Sequence, residues 1–378
     1  MLARLMKMSR YFYGMLIVEW SFLRKILAAV FIFTAMVGLT ACEKQPFSQP
    51  DTGAEQQFQS LTTMISDRAA ESGFSGVVLI ANNGEIIFEK AYNHPDLLDT
   101  DEITIDSQFA IASMTKSFTA ILVLQLIEAG QISLDTRLDQ LLPDYAAEYA
   151  NQVTVRHMLQ NRSGIPHYID LPGWFDSDYK RSLTDDTFIA AIAHLPLKFP
   201  PDTDYLYSNA NFFLLGLILE EVTGLSYETL LKEKILEPVG LTDTGQIYET
   251  QPNATLARNF MLEGDETFVH IPIINPRLFR ATASLYSTGR DLHRWHEALA
   301  DGTLLSGASK GEMFNPETPM AWTIGALPLS NDVMLPLQTY NGILAAVFIF
   351  TAMVGLTACE KQPFSQPDTG AEQQFQSL

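Results

Sequence analysis

The stretch Phe109-Ala110-Ile111-Ala112-Ser113-Met114-Thr115-Lys116 runs straight into an apolar segment that stops at Gly130. Residues 114–129 contain neither glycine nor proline and are apolar on nearly every face. Such a run reads as a buried helix, with Gly130 as the residue just past its C-terminus. Ser113 then falls at or near the first turn, where free backbone N–H groups and the positive end of the helix dipole face outward. Lys116, three residues later, lies on the same face as the serine hydroxyl.

A serine attacks a carbonyl when a base takes its proton. Lysine serves once burial and neighbours lower its pKa by roughly three units, a shift worth on the order of 4 kcal/mol. The tetrapeptide Ser113 to Lys116 also fits a plainer arrangement, a helix cap followed by a solvated first-turn lysine. A second Ser-x-x-Lys, Ser177-Asp178-Tyr179-Lys180, sits in loop-like sequence with no apolar helix behind it and reads as chance.

The rest of the chain bounds the choice. Its 378 residues are 47% hydrophobic and 18% charged, enough for one large domain or two lobes with a substantial core. A formal charge of −20 argues against nucleic-acid binding, which needs basic surface to displace counterions. The chain has no Gly-rich phosphate loop. His293 and His296 share a helix face but lack an obvious third ligand, so neither a metal nor any other cofactor is expected.

Residues 26–41, an apolar run behind Arg24-Lys25, are short for a membrane-spanning helix and end in small residues, as an export signal does. The alternative is a short transmembrane anchor. Leu39-Thr40-Ala41-Cys42 resembles a bacterial lipobox, which implies lipidation at Cys42; Glu43 at the next position implies the outer membrane, with the domain facing the periplasm. Residues 43–59 are Gln-, Pro- and Ser-rich, as expected of a flexible tether. Residues 343–378 repeat residues 26–61 without a single change. Structural repeats drift and recur more than twice, so one perfect copy reads as a splice, leaving 60–342 as the domain. Cys42 and Cys359 are two copies of one residue, and no disulfide is implied.

Within the domain, a β-hairpin is expected from Phe74 to Asn93 around Asn82-Asn83-Gly84, after a helix over about 58–71. Further helices are expected from Val153, over 184–194, from Asn209 to Val222, and over 226–236. Residues 164–201 are loop-rich, and Tyr168, Trp174, Phe175 and Tyr179 are expected along the rim of a cleft. Tyr207-Ser208-Asn209 precedes the strongest of these helices. A phenol at Tyr207 can shuttle a proton, while the Asn209 amide can donate to a substrate carbonyl and hold a lysine. The plainer reading is a core tyrosine and an asparagine cap; Tyr149-Ala150-Asn151 repeats the spacing by chance.

The order of Phe109 to Lys116, Val153 to Gly164, Phe199-Pro200-Pro201, Tyr207-Ser208-Asn209, Glu220 to Gly224 and Ser287 to Leu292 resembles the class C β-lactamase-like branch of the serine β-lactamase and penicillin-binding-protein superfamily. The resemblance runs from about residue 60 to 342. It implies an α+β fold: an antiparallel sheet with strands from both ends of the sequence, flanked by helices, and a helical lobe inserted between. It further implies Ser113 as the acylated nucleophile, Lys116 and Tyr207 as proton carriers, Asn209 as a substrate contact and the Ser113 N–H as one oxyanion donor. Which of Lys116 and Tyr207 is the acylation base stays open.

Three departures qualify the resemblance. The family's Lys-Thr-Gly or His-x-Gly strand motif is matched by Tyr340-Asn341-Gly342, and Tyr340 supplies no cation for a substrate carboxylate. Ester or other neutral acyl substrates gain weight over a β-lactam or a D-amino-acid peptide. Asp202 stands where relatives tend to have glycine. The splice follows Gly342 at once, so the family's later strands are expected to be missing, with Val347 to Phe350 accommodated as a strand at most and the chain as written poorly folded or inactive. The expected protein is a monomeric, lipid-anchored serine hydrolase of a small-molecule or peptide acyl substrate. The competing reading is a non-catalytic envelope lipoprotein that binds peptidoglycan stems or a partner through the same cleft.

Overall fold

The computed structural model describes residues 52–82, 84–94, 102–248, 256–263, 267–270, 275–315, 320 and 343–350. Cys42, Tyr340, Gly342 and the strand-like run 332–339 lie outside the described residues. The described residues open with helix α1 (Thr52–Ser72), which starts six residues earlier than the sequence suggests. Residues 52–59, read as tether, are helical because Ala54 to Gln59 is rich in good helix formers.

The expected hairpin forms from β1 (Gly76–Asn82) and β2 (Glu85–Tyr92), paired antiparallel from Gly76 opposite Tyr92 to Asn82 opposite Glu85. Gly84 takes a φ of +79° in the turn, open to glycine without strain. The face of β1 carrying Val78 and Ile80 packs on Leu61, Met64 and Ile65 of α1. A short strand β3 (Phe109–Ala110) leads through a 3-10 turn at Ala112–Met114 into α2 (Thr115–Glu128).

The helical lobe follows, including α3 (Val155–Leu159), α4 (Asp185–Ala193) and α5 (Asn209–Thr223). Thr154 and Thr184 cap α3 and α4 by accepting the N–H three residues on, and Gly224 ends α5 at a φ of +69°. The segment expected as one helix over 226–236 divides into an α-helix at Tyr227–Leu231 and a π-turn at Lys232–Leu236. A second small sheet has the order β3, β7 (Leu285–Ser287), β4 (Gly245–Gln246), while β5 (Phe260–Glu263) pairs with β6 (Thr267–His270).

Helix α6 (Gly289–Asp301) returns against β1, with Gly289 close to Val77 and Leu79. Trp295 of α6 stacks on Phe118 of α2, ring centroids 3.8 Å apart and planes within 4° of parallel, and both side chains are fully buried. This contact ties α2 to the sheet side of the molecule. The last described strand, β8 (Ile343–Phe350), pairs antiparallel with β1, Asn82 opposite Ile343 and Gly76 opposite Phe350. One sheet thus takes strands from both ends of the chain, in the order β2, β1, β8, and the architecture is the expected α+β.

Candidate active site

Ser113 lies in the 3-10 turn, one residue after Ala112, whose φ is +45°. A left-handed alanine costs on the order of 1 kcal/mol or more, and strain of this kind persists where surrounding structure fixes it. Here Ile111 N–H donates to Leu285 O at 2.9 Å, clamping the turn to β7. Among the described residues, the Ser113 N–H has no hydrogen-bond partner, as an oxyanion donor requires.

Lys116 is fully buried in the first turn of α2. Its Nζ donates to Ser113 Oγ at 3.1 Å and to Thr282 O at 2.9 Å. Burial holds its pKa well below the usual lysine value, because the charged form has lost its water. The Tyr207 hydroxyl lies 2.8 Å from Ser113 Oγ, and Lys116 Nζ stands 5.0 Å from the centre of the Tyr207 ring. Two residues from distant parts of the chain, Lys116 and Tyr207, therefore converge on the Ser113 hydroxyl.

The segment Arg280 to Leu285 anchors this arrangement. Ala281, at a φ of +60°, presents its carbonyl to Thr119 Oγ1 at 2.7 Å, and Tyr227 OH lies 2.8 Å from the same hydroxyl. Thr282 offers its carbonyl to Lys116 and its Oγ1 to Tyr168 OH at 3.1 Å, while Leu285 N–H donates to Thr115 Oγ1 at 3.2 Å. Gly216 of α5 passes so close that a Cβ there would meet Ala281 Cβ at 2.6 Å. The sequence reading missed Thr282; its signal is the run of small residues before the Ser287 motif, which reads as nondescript without a partner in view.

The loop carrying Tyr207 is held by a buried polar network. Asn161 Oδ1 accepts from Ser208 N–H and Asn211 Nδ2, both at 3.1 Å, and Ser163 Oγ donates to Asn211 Oδ1 at 2.6 Å. Gly164, at a φ of +76°, leaves room for Phe199 O, which a Cβ would overlap. Asp202, the departure from glycine, has a φ of +67°, the conformation glycine serves best. Its Oδ1 accepts from Arg162 Nε at 2.7 Å, and that pair holds the carboxylate below its ordinary pKa.

Asn209 is the first residue of α5 and is buried, and its side chain hydrogen-bonds Tyr168. It does not hold Lys116: its Oδ1 has no partner among the described residues, and the lysine instead donates to Thr282 O. The expected aromatic rim also divides. Tyr168 and Trp174 are core residues packed on Phe188 and Phe279, whereas Phe175 is 62% exposed. Ser177 and Lys180 lie on a separate short helix, Ser177–Ser182, and Tyr149 is buried against Tyr145, so neither motif copy joins the site.

The fold and this constellation define a serine hydrolase of the β-lactamase and transpeptidase type. Residues 61–340 match the Beta-lactamase family model, and the chain belongs to that family. It is 28% identical over 297 residues to the putative penicillin-binding protein PbpX of Bacillus subtilis, covering 77% of this chain and 72% of the relative. It is 26% identical to penicillin-binding protein 4* of the same organism, covering 68% of this chain and 59% of the relative. Among solved structures, a D-stereospecific amidohydrolase from Streptomyces aligns with a TM-score of 0.56 at 28% identity, covering 65% of this chain and 74% of its own. The D-amino acid amidase of Ochrobactrum anthropi aligns at 0.57 and 28%, covering 65% and 72%.

Proposed function

We propose that the chain is a serine hydrolase that acts through an acyl-enzyme at Ser113 on a neutral acyl substrate, an ester or an amide of the D-amino-acid class. The observation that carries this reading is the double approach to one hydroxyl, Lys116 Nζ at 3.1 Å and Tyr207 OH at 2.8 Å. A neutral lysine or the phenol takes the serine proton as Oγ bonds to the carbonyl carbon. The same pair returns that proton to the leaving group as the carbon–leaving-group bond breaks. Water then attacks the ester, and Ser113 regains its hydrogen.

The substrate class rests on two supports. Tyr340 stands in sequence where the resemblance places a cation, and of two structural relatives one is named a D-stereospecific amidohydrolase and the other a D-amino acid amidase. A class C-like lineage, a monomeric state, a lipid anchor at Cys42 and a position facing the periplasm belong to the same proposal, on sequence grounds. Among the described residues, no helix is long and apolar enough to cross a membrane.

Intact mass after exposure to a fluorophosphonate, to a penicillin and to D-phenylalanine amide tests the proposal. One phosphonyl adduct that disappears in Ser113→Ala is the expected result. An unlabelled but folded chain would overturn it and favour the binding module.

A further inference from the structure

His167 stands beside the reacting groups and takes no part in the proton path above. It follows the buried Ser163 and Gly164 in the chain, and its ring centre lies 5.9 Å from that of Tyr207 and 5.1 Å from that of Tyr168. The residue is 9% exposed. Its Nδ1 accepts from Ile169 N–H at 3.1 Å, which fixes the tautomer: the ring proton sits on Nε2. No described residue accepts from that Nε2–H. His167 thus carries, on a largely buried ring next to the phenol that touches Ser113, a donor of one fixed tautomer that no described residue accepts from and that solvent still reaches.

We propose that His167 is a specificity-determining residue whose Nε2–H donates to an uncharged carbonyl oxygen carried by the acyl group of the substrate. This rests on the acyl-enzyme reading. The donor is neutral, for burial foremost and the adjoining Lys116 charge second draw its pKa down to about 3. Lys116, the one cation whose charge bears on His167 among the described residues, is itself held toward its neutral form by burial. A carboxylate placed here would lose its water without gaining a counter-charge, whereas an amide carbonyl loses less and gains the one hydrogen bond on offer.

The test compares two p-nitrophenyl esters on the full chain: that of N-acetyl-D-phenylalanine, which carries the carbonyl, and that of 3-phenylpropionic acid, which lacks it. In His167→Ala, KM for the N-acetyl ester should rise about tenfold with kcat changed less than about threefold, and KM for the plain ester should stay put. His167→Gln, which keeps a donor near the Nε2 position, should recover most of the loss. Equal KM shifts for both esters, or none, or no recovery with glutamine, would overturn the inference while fluorophosphonate labelling of the wild type leaves the acyl-enzyme reading intact. A wild type that takes no label overturns both.

Discussion

Lys116 and Thr282 are separated by 166 positions, yet the lysine Nζ donates to the threonine carbonyl at 2.9 Å. That bond points the amine at Ser113, and among the described residues no carboxylate pairs with it, so burial acts on its pKa without opposition.

Lys116→Arg should therefore be as damaging as Lys116→Ala. A guanidinium stays charged at any working pH and cannot accept the serine proton. We expect fluorophosphonate labelling to slow by about 10² to 10⁴ in both, with circular dichroism confirming the fold. In the wild type, labelling should increase as pH rises through the lowered lysine pKa, and this limb should vanish in Lys116→Ala.

Gly216→Ala should act on the site from behind. Its added methyl meets Ala281 at 2.6 Å, next to the carbonyl that holds Lys116. Overpacking of this kind costs about 1–3 kcal/mol, a loss readable in urea or thermal unfolding. Labelling of Ser113 should fall as well, because Thr282 moves with Ala281.

Asp202→Gly and Asp202→Ala separate backbone strain from the ion pair. Both lose the side-chain ion pair with Arg162, an exposed pair worth little, and keep its main-chain bonds, but glycine is at ease at a φ of +67° and alanine is not. The glycine variant should be the more stable of the two by about 1 kcal/mol.

Acid should destabilise the protein through His167. In the unfolded chain the imidazole takes up a proton below about 6.5, whereas in the folded state it stays neutral down to about 3. The unfolded state thus binds more protons in that window, and stability falls as pH drops from about 6.5 toward 3, by up to about 1.4 kcal/mol per pH unit. His167→Gln should flatten this dependence in denaturant titrations at successive pH values.

Local signals made much of this legible from sequence. The apolar runs gave α2 and α5 almost to the residue, because buried helices advertise themselves and glycine marks their ends. Ser113, Lys116 and Tyr207 were readable as a set through motif order. What escaped depends on contacts between distant segments. Thr282 acts through its main-chain carbonyl, which no residue type announces, and His167 looks in sequence like one more ring among aromatics. Tyr168 and Trp174 were placed on a rim because loop composition suggests exposure, but their packing on Phe188 and Phe279 puts them in the core. Asn209 does not reach the lysine, whose anchor is a backbone oxygen that no residue type announces.

The pairing of β8 with β1 has a further meaning. The eight residues of β8, Ile343-Leu344-Ala345-Ala346-Val347-Phe348-Ile349-Phe350, recur letter for letter as Ile26 to Phe33. The edge of β1 that β8 occupies is held by main-chain pairing, and a second molecule can offer the same eight-residue strand to it in trans.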